Sequence, residues 1–149
     1  MRIAVTGSTG YIGGRLVPQL INAGHEVICL ARTPAKLDDL PWRSDVEVRR
    51  FDLDDPESVA PALQGCDAAY YLVHSMGSSD DFADADRVAA ERFAAGAAEV
   101  EVGRIIYLGG LGSDDELSKH LSSRHEVGTV LAAGPVPVTE FRAAVVIGS

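Results

Sequence analysis

The stretch "VTGSTGYIGG", Val5–Gly14, follows directly on a short apolar run and carries three glycines, Gly7, Gly10 and Gly13, at a strict spacing of three. Upstream, "RIAVT" (Arg2 to Thr6) has the apolar, β-branched character of a buried strand. Downstream, Ile12, Leu16, Leu20 and Ile21 form the apolar stripe of a helix that stops at Gly24. Pro18 falls inside that helix and removes one of its hydrogen bonds. The glycines therefore mark the place where a strand hands over to a helix. Residues without a side chain let the backbone take a positive φ and let a ligand approach the main chain closely. The helix that begins near Tyr11 aims its free N–H groups, and the positive end of its dipole, at the same place. Such a turn fits a diphosphate: Gly7 permits the tight turn, Gly10 admits the phosphates, and Gly13 brings the helix against the strand. Ser8, Thr9, Tyr11 and Ile12, interleaved with the glycines, complete the expected binding turn. A P-loop is excluded, because no Lys-Ser or Lys-Thr pair follows the glycines.

Beyond this turn, short apolar runs alternate with stretches of helical periodicity. Strands are expected at "EVICLA" (Glu26 to Ala31), "VEVRRF" (Val46 to Phe51), "AAYYLV" (Ala68 to Val73), "RIIYLG" (Arg104 to Gly109) and "VTEFR" (Val138 to Arg142). Asp55 followed by Pro56 reads as an N-cap with proline in the first turn, opening a helix that runs to about Gln64 and stops at Gly65. Phe82, Ala89, Phe93 and Ala97 recur at helical spacing within a long helix from Asp81 to Val100, and a further helix runs from Leu117 to Ala133. Strands that are apolar on both faces and alternate with helices define an α/β fold with a three-layer, doubly wound parallel sheet of about six strands. The chain reads as one domain, residues 1–149, and its stop just past the sixth strand suggests the N-terminal part of a longer protein.

Composition narrows the partners. A net charge of −9 over 149 residues repels phosphate backbones, which argues against nucleic acid. Cys29 and Cys66 lie far apart with no Cys or His at ligand spacing, so no metal site is expected and both read as reduced thiols. No leader-like opening and no apolar run of membrane-spanning length is present, and a cytoplasmic location is expected.

"TGSTGYIGG" resembles the TGxxGxxG signature of extended and atypical short-chain dehydrogenases/reductases. The resemblance extends through "DLDD", "YLVHSMG", "YLGGLG" and "VTEFRAAVVIG" to the end of the chain, and is closest to the NmrA-like and nucleoside-diphosphate-sugar epimerase-like group. It implies a Rossmann fold with strand order 3-2-1-4-5-6 and a dinucleotide cofactor. It also implies that Asp52 and Leu53 flank the adenine, and that Leu72, Val73 and His74 line the cofactor after the fourth strand. Asp52 has a rival role as a turn residue, while Asp54 and Asp55 are expected to cap the next helix. At the end of the second strand, where an NAD-preferring site places a carboxylate, this chain has Arg32, followed by Thr33 and Lys36. A guanidinium there suits a 2′-phosphate, so NADP is expected in preference to NAD.

Active members of the superfamily carry a Ser or Thr at the end of the fifth strand and a Tyr-x-x-x-Lys on the following helix. Here Gly109 and Gly110 stand at the hydroxyl position, and the alignment of "LSKHLSSRHEVG" sets His120 at the tyrosine place and Arg124 at the lysine place. Arg124 could hold a ribose, and His120 could donate a proton. Ser118, Ser122 and Ser123 read as helix-surface hydroxyls. The expected function is an NADP-dependent oxidoreductase or epimerase-like enzyme with a substituted catalytic set, acting on an unknown small molecule. The alternative is a cofactor-binding sensor or structural module without turnover. Nothing in the sequence defines the oligomeric state.

Overall fold

The computed structural model describes residues 1–74, 82–112, 119–144 and 146; the side chains of Phe82, Lys119 and His120 fall outside the description. Six strands form one all-parallel sheet: β1 (Arg2–Thr6), β2 (Glu26–Ala31), β3 (Glu47–Arg50), β4 (Ala68–Tyr71), β5 (Arg104–Gly110) and β6 (Val138–Ala143). Their spatial order is β3-β2-β1-β4-β5-β6, as the resemblance implied. The reversal falls between β1 and β4, where Val5 stands opposite Cys29 on one side and Tyr70 on the other. In open sheets of this kind the crevice beyond the strands' carboxyl ends, at the reversal, is where ligands enter.

The pleat sends alternate residues of each strand to two separate cores. Ile3 and Val5 of β1, with Val27 and Cys29 of β2, pack against Val17 and Leu20 of α1 (Tyr11–Asn22). Leu37 and Trp42, on the irregular segment between β2 and β3, complete that layer. Ala4, Ile28 and Leu30 face the other way, toward α2 (Val59–Leu63), α3 (Phe82–Glu99) and α4 (Lys119–Ala132). Phe93 of α3 is the hub of this second core. Its ring lies 6.1 Å from Phe51, edge-on at 86°, and 4.8 Å from Tyr71. α1 runs unbroken through Pro18. The α2 region is shorter than the periodicity predicts, a 3₁₀ turn at Pro56–Ser58 leading into Val59–Leu63.

The expected capping by Asp54 and Asp55 is not what forms. Asp55 stands at the N-cap position without a capping hydrogen bond, and its carboxylate pairs with Arg50 at 3.2 Å. Asp54 takes no capping part either; its N–H donates to Asp52 Oδ1 at 3.1 Å. Ser58 holds the turn instead: its hydroxyl accepts from the Asp52 N–H and has two carbonyls in reach of its one proton, Asp55 O at 2.7 Å and Asp52 O at 2.9 Å. The Asp55 carboxylate thus turns to the Arg50 guanidinium, five residues back, instead of to the amides of the turn.

Truncating the aromatic hub tests this packing. Phe93→Ala is expected to destabilise the fold by about 3–5 kcal/mol, the usual cost of deleting a buried ring. A urea titration followed by circular dichroism should show the midpoint fall at an unchanged slope; a shift below about 1 kcal/mol contradicts a single core centred on this ring.

Candidate functional site

At the end of β1 the buried Thr6 hydroxyl donates to the Tyr70 carbonyl at 3.0 Å and accepts from the Leu72 N–H at 2.8 Å. It thereby continues the β1–β4 pairing past the last ladder position, Val5 opposite Tyr70. Gly7 then turns the chain with φ +65°, and a Cβ on it would stand 3.0 Å from the Leu72 carbonyl oxygen. Both the conformation and the space demand glycine. Gly10 closes the turn, its N–H donating to Gly7 O at 2.9 Å, and serves as N-cap of α1. A Cβ on Gly13 would run into the Gly7 carbonyl and the Ser8 Cα, so α1 rests directly on the turn. Ser8 is buried with no hydrogen-bond partner for its hydroxyl oxygen among the described residues. It faces the Cys29 thiol, which burial pushes up to about 11 and the Ser8 hydroxyl draws back slightly.

Two cavities open along the crevice. The first, about 760 Å³, is lined by Gly7, Ser8, Thr9, Arg32, Thr33 and Lys36, by Asp52, Leu53, Val73 and His74, and by Leu30, Phe51, Tyr71 and Asp86 among others. Ten of the residues singled out in the sequence thus surround one space. Arg32 and Lys36 are exposed, and neither has a side-chain hydrogen bond or ion pair among the described residues. Asp52 keeps its rival role as well, since its carboxylate accepts from the Asp54 N–H while the residue lines the cleft. The second cavity, about 580 Å³, is lined by Tyr11, Ile12, Leu72, His74, Leu108 and Arg124, with Gly109, Gly110, Leu121 and Val146. His74 belongs to both and stands at their junction. Gly10 and Gly13 line neither; their work is in the turn and the helix contact.

His74 is held with its ring 5.9 Å from Tyr107, edge to face. Burial holds its pKa below the ordinary imidazole value, Arg124 lowers it further, and Asp86 and a hydrogen bond with the Leu108 backbone oppose. Its Nδ1 is buried and unpartnered among the described residues. Tyr107 donates its hydroxyl to the Arg124 carbonyl at 2.9 Å and titrates well above the usual phenol range, chiefly through burial.

Sequence reasoning missed Asp86. It is buried and lines the first cavity, where it accepts a hydrogen bond from Ser123 at 3.2 Å. Ser123 is accordingly not the surface hydroxyl expected of it, whereas Ser122 is exposed and Ser118 lies outside the described residues. A signal was present: Asp86 falls four residues after Phe82 and three before Ala89, on the buried stripe itself. His120 stands in the first turn of α4 and its side chain lies outside the description, so its expected role has no geometry here. Gly110 cannot be replaced by a hydroxyl-bearing residue without displacing Leu121, whose Cδ1 occupies the place of a Cβ.

The family model described as NAD(P)H-binding matches residues 7–135, and the chain belongs to that family. It is 29% identical over 110 residues to 2-alkyl-3-oxoalkanoate reductase of Stenotrophomonas maltophilia, covering 72% of this chain and 32% of that protein. It is 31% identical over 83 residues to protein BRI1-5 ENHANCED 1 of Arabidopsis thaliana, covering 50% of this chain and 23% of that one. Among solved structures, triphenylmethane reductase of Citrobacter sp. complexed with NADP(H) superposes with a TM-score of 0.83 at 25% identity, over 97% of this chain and 50% of that chain. The NADPH-dependent quinone oxidoreductase of Escherichia coli, complexed with NADPH, gives 0.79 at 25% identity, over 94% and 48%. The chain therefore spans about half the length of these solved relatives and 32% or less of the two curated ones.

The electrostatics around His74 can be checked directly. By NMR titration its imidazole should titrate below 6.5, and Arg124→Met should move the value upward by removing a like charge. The sign for stability follows: below about pH 6.5 the unfolded chain takes up a proton that the folded chain refuses, so this residue costs stability as pH falls. A downward or absent response to Arg124→Met contradicts the arrangement.

Proposed function

We propose that this chain is the NADP(H)-binding domain of an oxidoreductase of the atypical short-chain dehydrogenase/reductase type, with a substituted catalytic set. The observation that carries the reading is the position of Arg32. It leaves the end of β2 at the rim of the first cavity, beside Thr33 and Lys36, with no carboxylate engaging its guanidinium among the described residues. A 2′-phosphate would find a planar, bidentate donor there and a second cation within the same lining.

The residues present fit such a cofactor. The Gly7–Gly13 turn and the N-terminus of α1 would hold the diphosphate, beside the buried Ser8 hydroxyl, whose oxygen has no hydrogen-bond partner among the described residues. Asp52 and Leu53 would border the adenine, with Val73 and His74 further along the crevice. Bound there, the nicotinamide supplies or accepts hydride. This chain's own residues bind and orient: Tyr11, Ile12 and Leu72 line the far end, and Arg124 supplies positive charge there. His74 stays neutral at physiological pH because burial and Arg124 both disfavour its cation. The imidazole can then accept a hydrogen bond at the junction without adding charge. His120 remains the candidate proton donor on α4. A second reading, a cofactor-binding sensor without turnover, is favoured by Gly110, where Leu121 fills the space a catalytic serine or threonine would need.

Calorimetric titration tests the cofactor reading. NADPH is expected to bind about 10–100-fold more tightly than NADH, the worth of a charge-assisted contact, and Arg32→Glu should abolish or reverse that preference. Equal affinities in the unaltered protein would refute it. Turnover of NADPH with carbonyl and quinone acceptors then separates enzyme from sensor.

A further inference from the structure

We propose that Asp86, Tyr107 and His125 are positioning residues that together clamp one turn of α4 and so fix where the Arg124 guanidinium enters the cleft. The inference rests on the proposed function for the part Arg124 plays toward the cofactor, and concerns what holds that part in place.

Three consecutive residues of α4 are each tied by a polar group to a neighbouring element. Ser123 donates its hydroxyl to the Asp86 carboxylate of α3 at 3.2 Å. The Arg124 carbonyl accepts from the Tyr107 hydroxyl of β5 at 2.9 Å. His125 donates from Nε2 to the Gly110 carbonyl at the end of β5, 3.0 Å away, since a carbonyl oxygen can only accept. Asp86, Ser123 and Tyr107 are each more than nine-tenths buried.

Helix geometry makes these ties complementary. At 3.6 residues per turn, the side chains of residues two apart project about 200° apart around the axis. Ser123 therefore holds α4 toward α3 while His125 holds it toward β5, and no rotation of the helix keeps both bonds. A helix carbonyl lies nearly along the axis, so the Tyr107 bond resists sliding where the other two resist rolling. Breaking either of the two inner ties would strand a buried polar group, which costs more than the bond itself contributes. Hydrocarbon contacts alone do not give this precision, because they are non-directional. The outer contact between the same two helices, Arg87 to Glu126 at 3.8 Å, is long and exposed and contributes little.

Between the two side-chain ties, Arg124 projects about 100° from each. It lines the second cavity, and its Cδ passes close over Gly110, 3.5 Å from where a Cβ there would stand. Its guanidinium has no hydrogen bond or ion pair among the described residues, so the backbone that carries it sets its place. His74 reports on that place: Arg124 lowers its pKa while Asp86 raises it. Asp86 thus bears on the cleft twice, by its own charge and by the seat it gives α4.

NMR titration of the His74 imidazole in double-mutant cycles tests the clamp. Arg124→Met should raise the His74 pKa in the otherwise unaltered protein. Ser123→Ala, Tyr107→Phe and His125→Phe each remove one tie, and in each background that rise should shrink to about half or less. Asp86→Asn, which keeps an acceptor for Ser123 but removes the charge, should lower the His74 pKa and leave the rise from Arg124→Met whole. Thermal unfolding identifies the folded variants; the three substitutions act at different ties, so one that fails to fold leaves the others to decide. An undiminished rise in any folded background overturns the proposal, as does a rise that Asp86→Asn abolishes. Calorimetry separates the clamp from general damage and from the cofactor reading. NADPH should bind about 3–10-fold more weakly to Ser123→Ala, while adenosine 2′,5′-bisphosphate, a fragment without the nicotinamide half, should bind unchanged. Equal losses for both probes also overturn the proposal. If the cycles show the coupling and NADPH does not bind, the cofactor reading fails and the clamp stands. If NADPH binds in the Arg32-dependent way and the cycles show no coupling, the clamp alone fails.

Discussion

The close approach of α1 to the turn at Gly7 governs the rest of the crevice. With no Cβ at Gly13, the helix lies against the Gly7 carbonyl and the Ser8 backbone. That contact fixes where the free amides of the first helical turn point, and it brings Tyr11 and Ile12 to the far cavity while Gly7, Ser8 and Thr9 line the near one. A bulkier residue at position 13 would lift the helix from the strand and separate the two cavities from the turn that joins them. The sheet sets the location of the crevice through the reversal between β1 and β4, but this one helix contact sets its shape.

Along the crevice the chemistry changes in an orderly way. The β2 end is open and cationic, with Arg32 and Lys36 exposed at the rim and unpaired among the described residues. Its middle is the half-buried His74, set beside Tyr107 with its cation disfavoured by desolvation and by Arg124. At the β5 end stands hydrocarbon with a single arginine. The acidic surface, −9 overall, repels anions at a distance, so any anion that binds does so through these few local donors rather than through general attraction.

Much of this was legible in the sequence where the requirement is local. Gly7 announces a turn with positive φ and Gly13 a helix packed too closely for a side chain, and Arg32 announces itself by standing at a strand end. The strand order followed from resemblance and the apolar runs from composition. What was not legible depends on which of several available partners a side chain takes, nearby or on a distant segment. Asp55 looks like a cap until Arg50 takes its carboxylate. Ser123 looks like a surface residue until α3 presents Asp86 to it. The second cavity draws on α1, β4, β5, α4 and β6, so no single window of sequence contains it. Asp86 is the intermediate case: its place on an apolar stripe was visible, but the reason for a carboxylate there came only with the helix pair.

Thr6 ties the crevice floor together. Its hydroxyl takes up the Leu72 amide and shares the Tyr70 carbonyl, while the Leu72 carbonyl oxygen sits close beneath Gly7. Where the backbone ladder between β1 and β4 runs out, the tie between the two segments therefore passes through one side-chain oxygen, and the glycine turn is seated on a segment which that oxygen anchors.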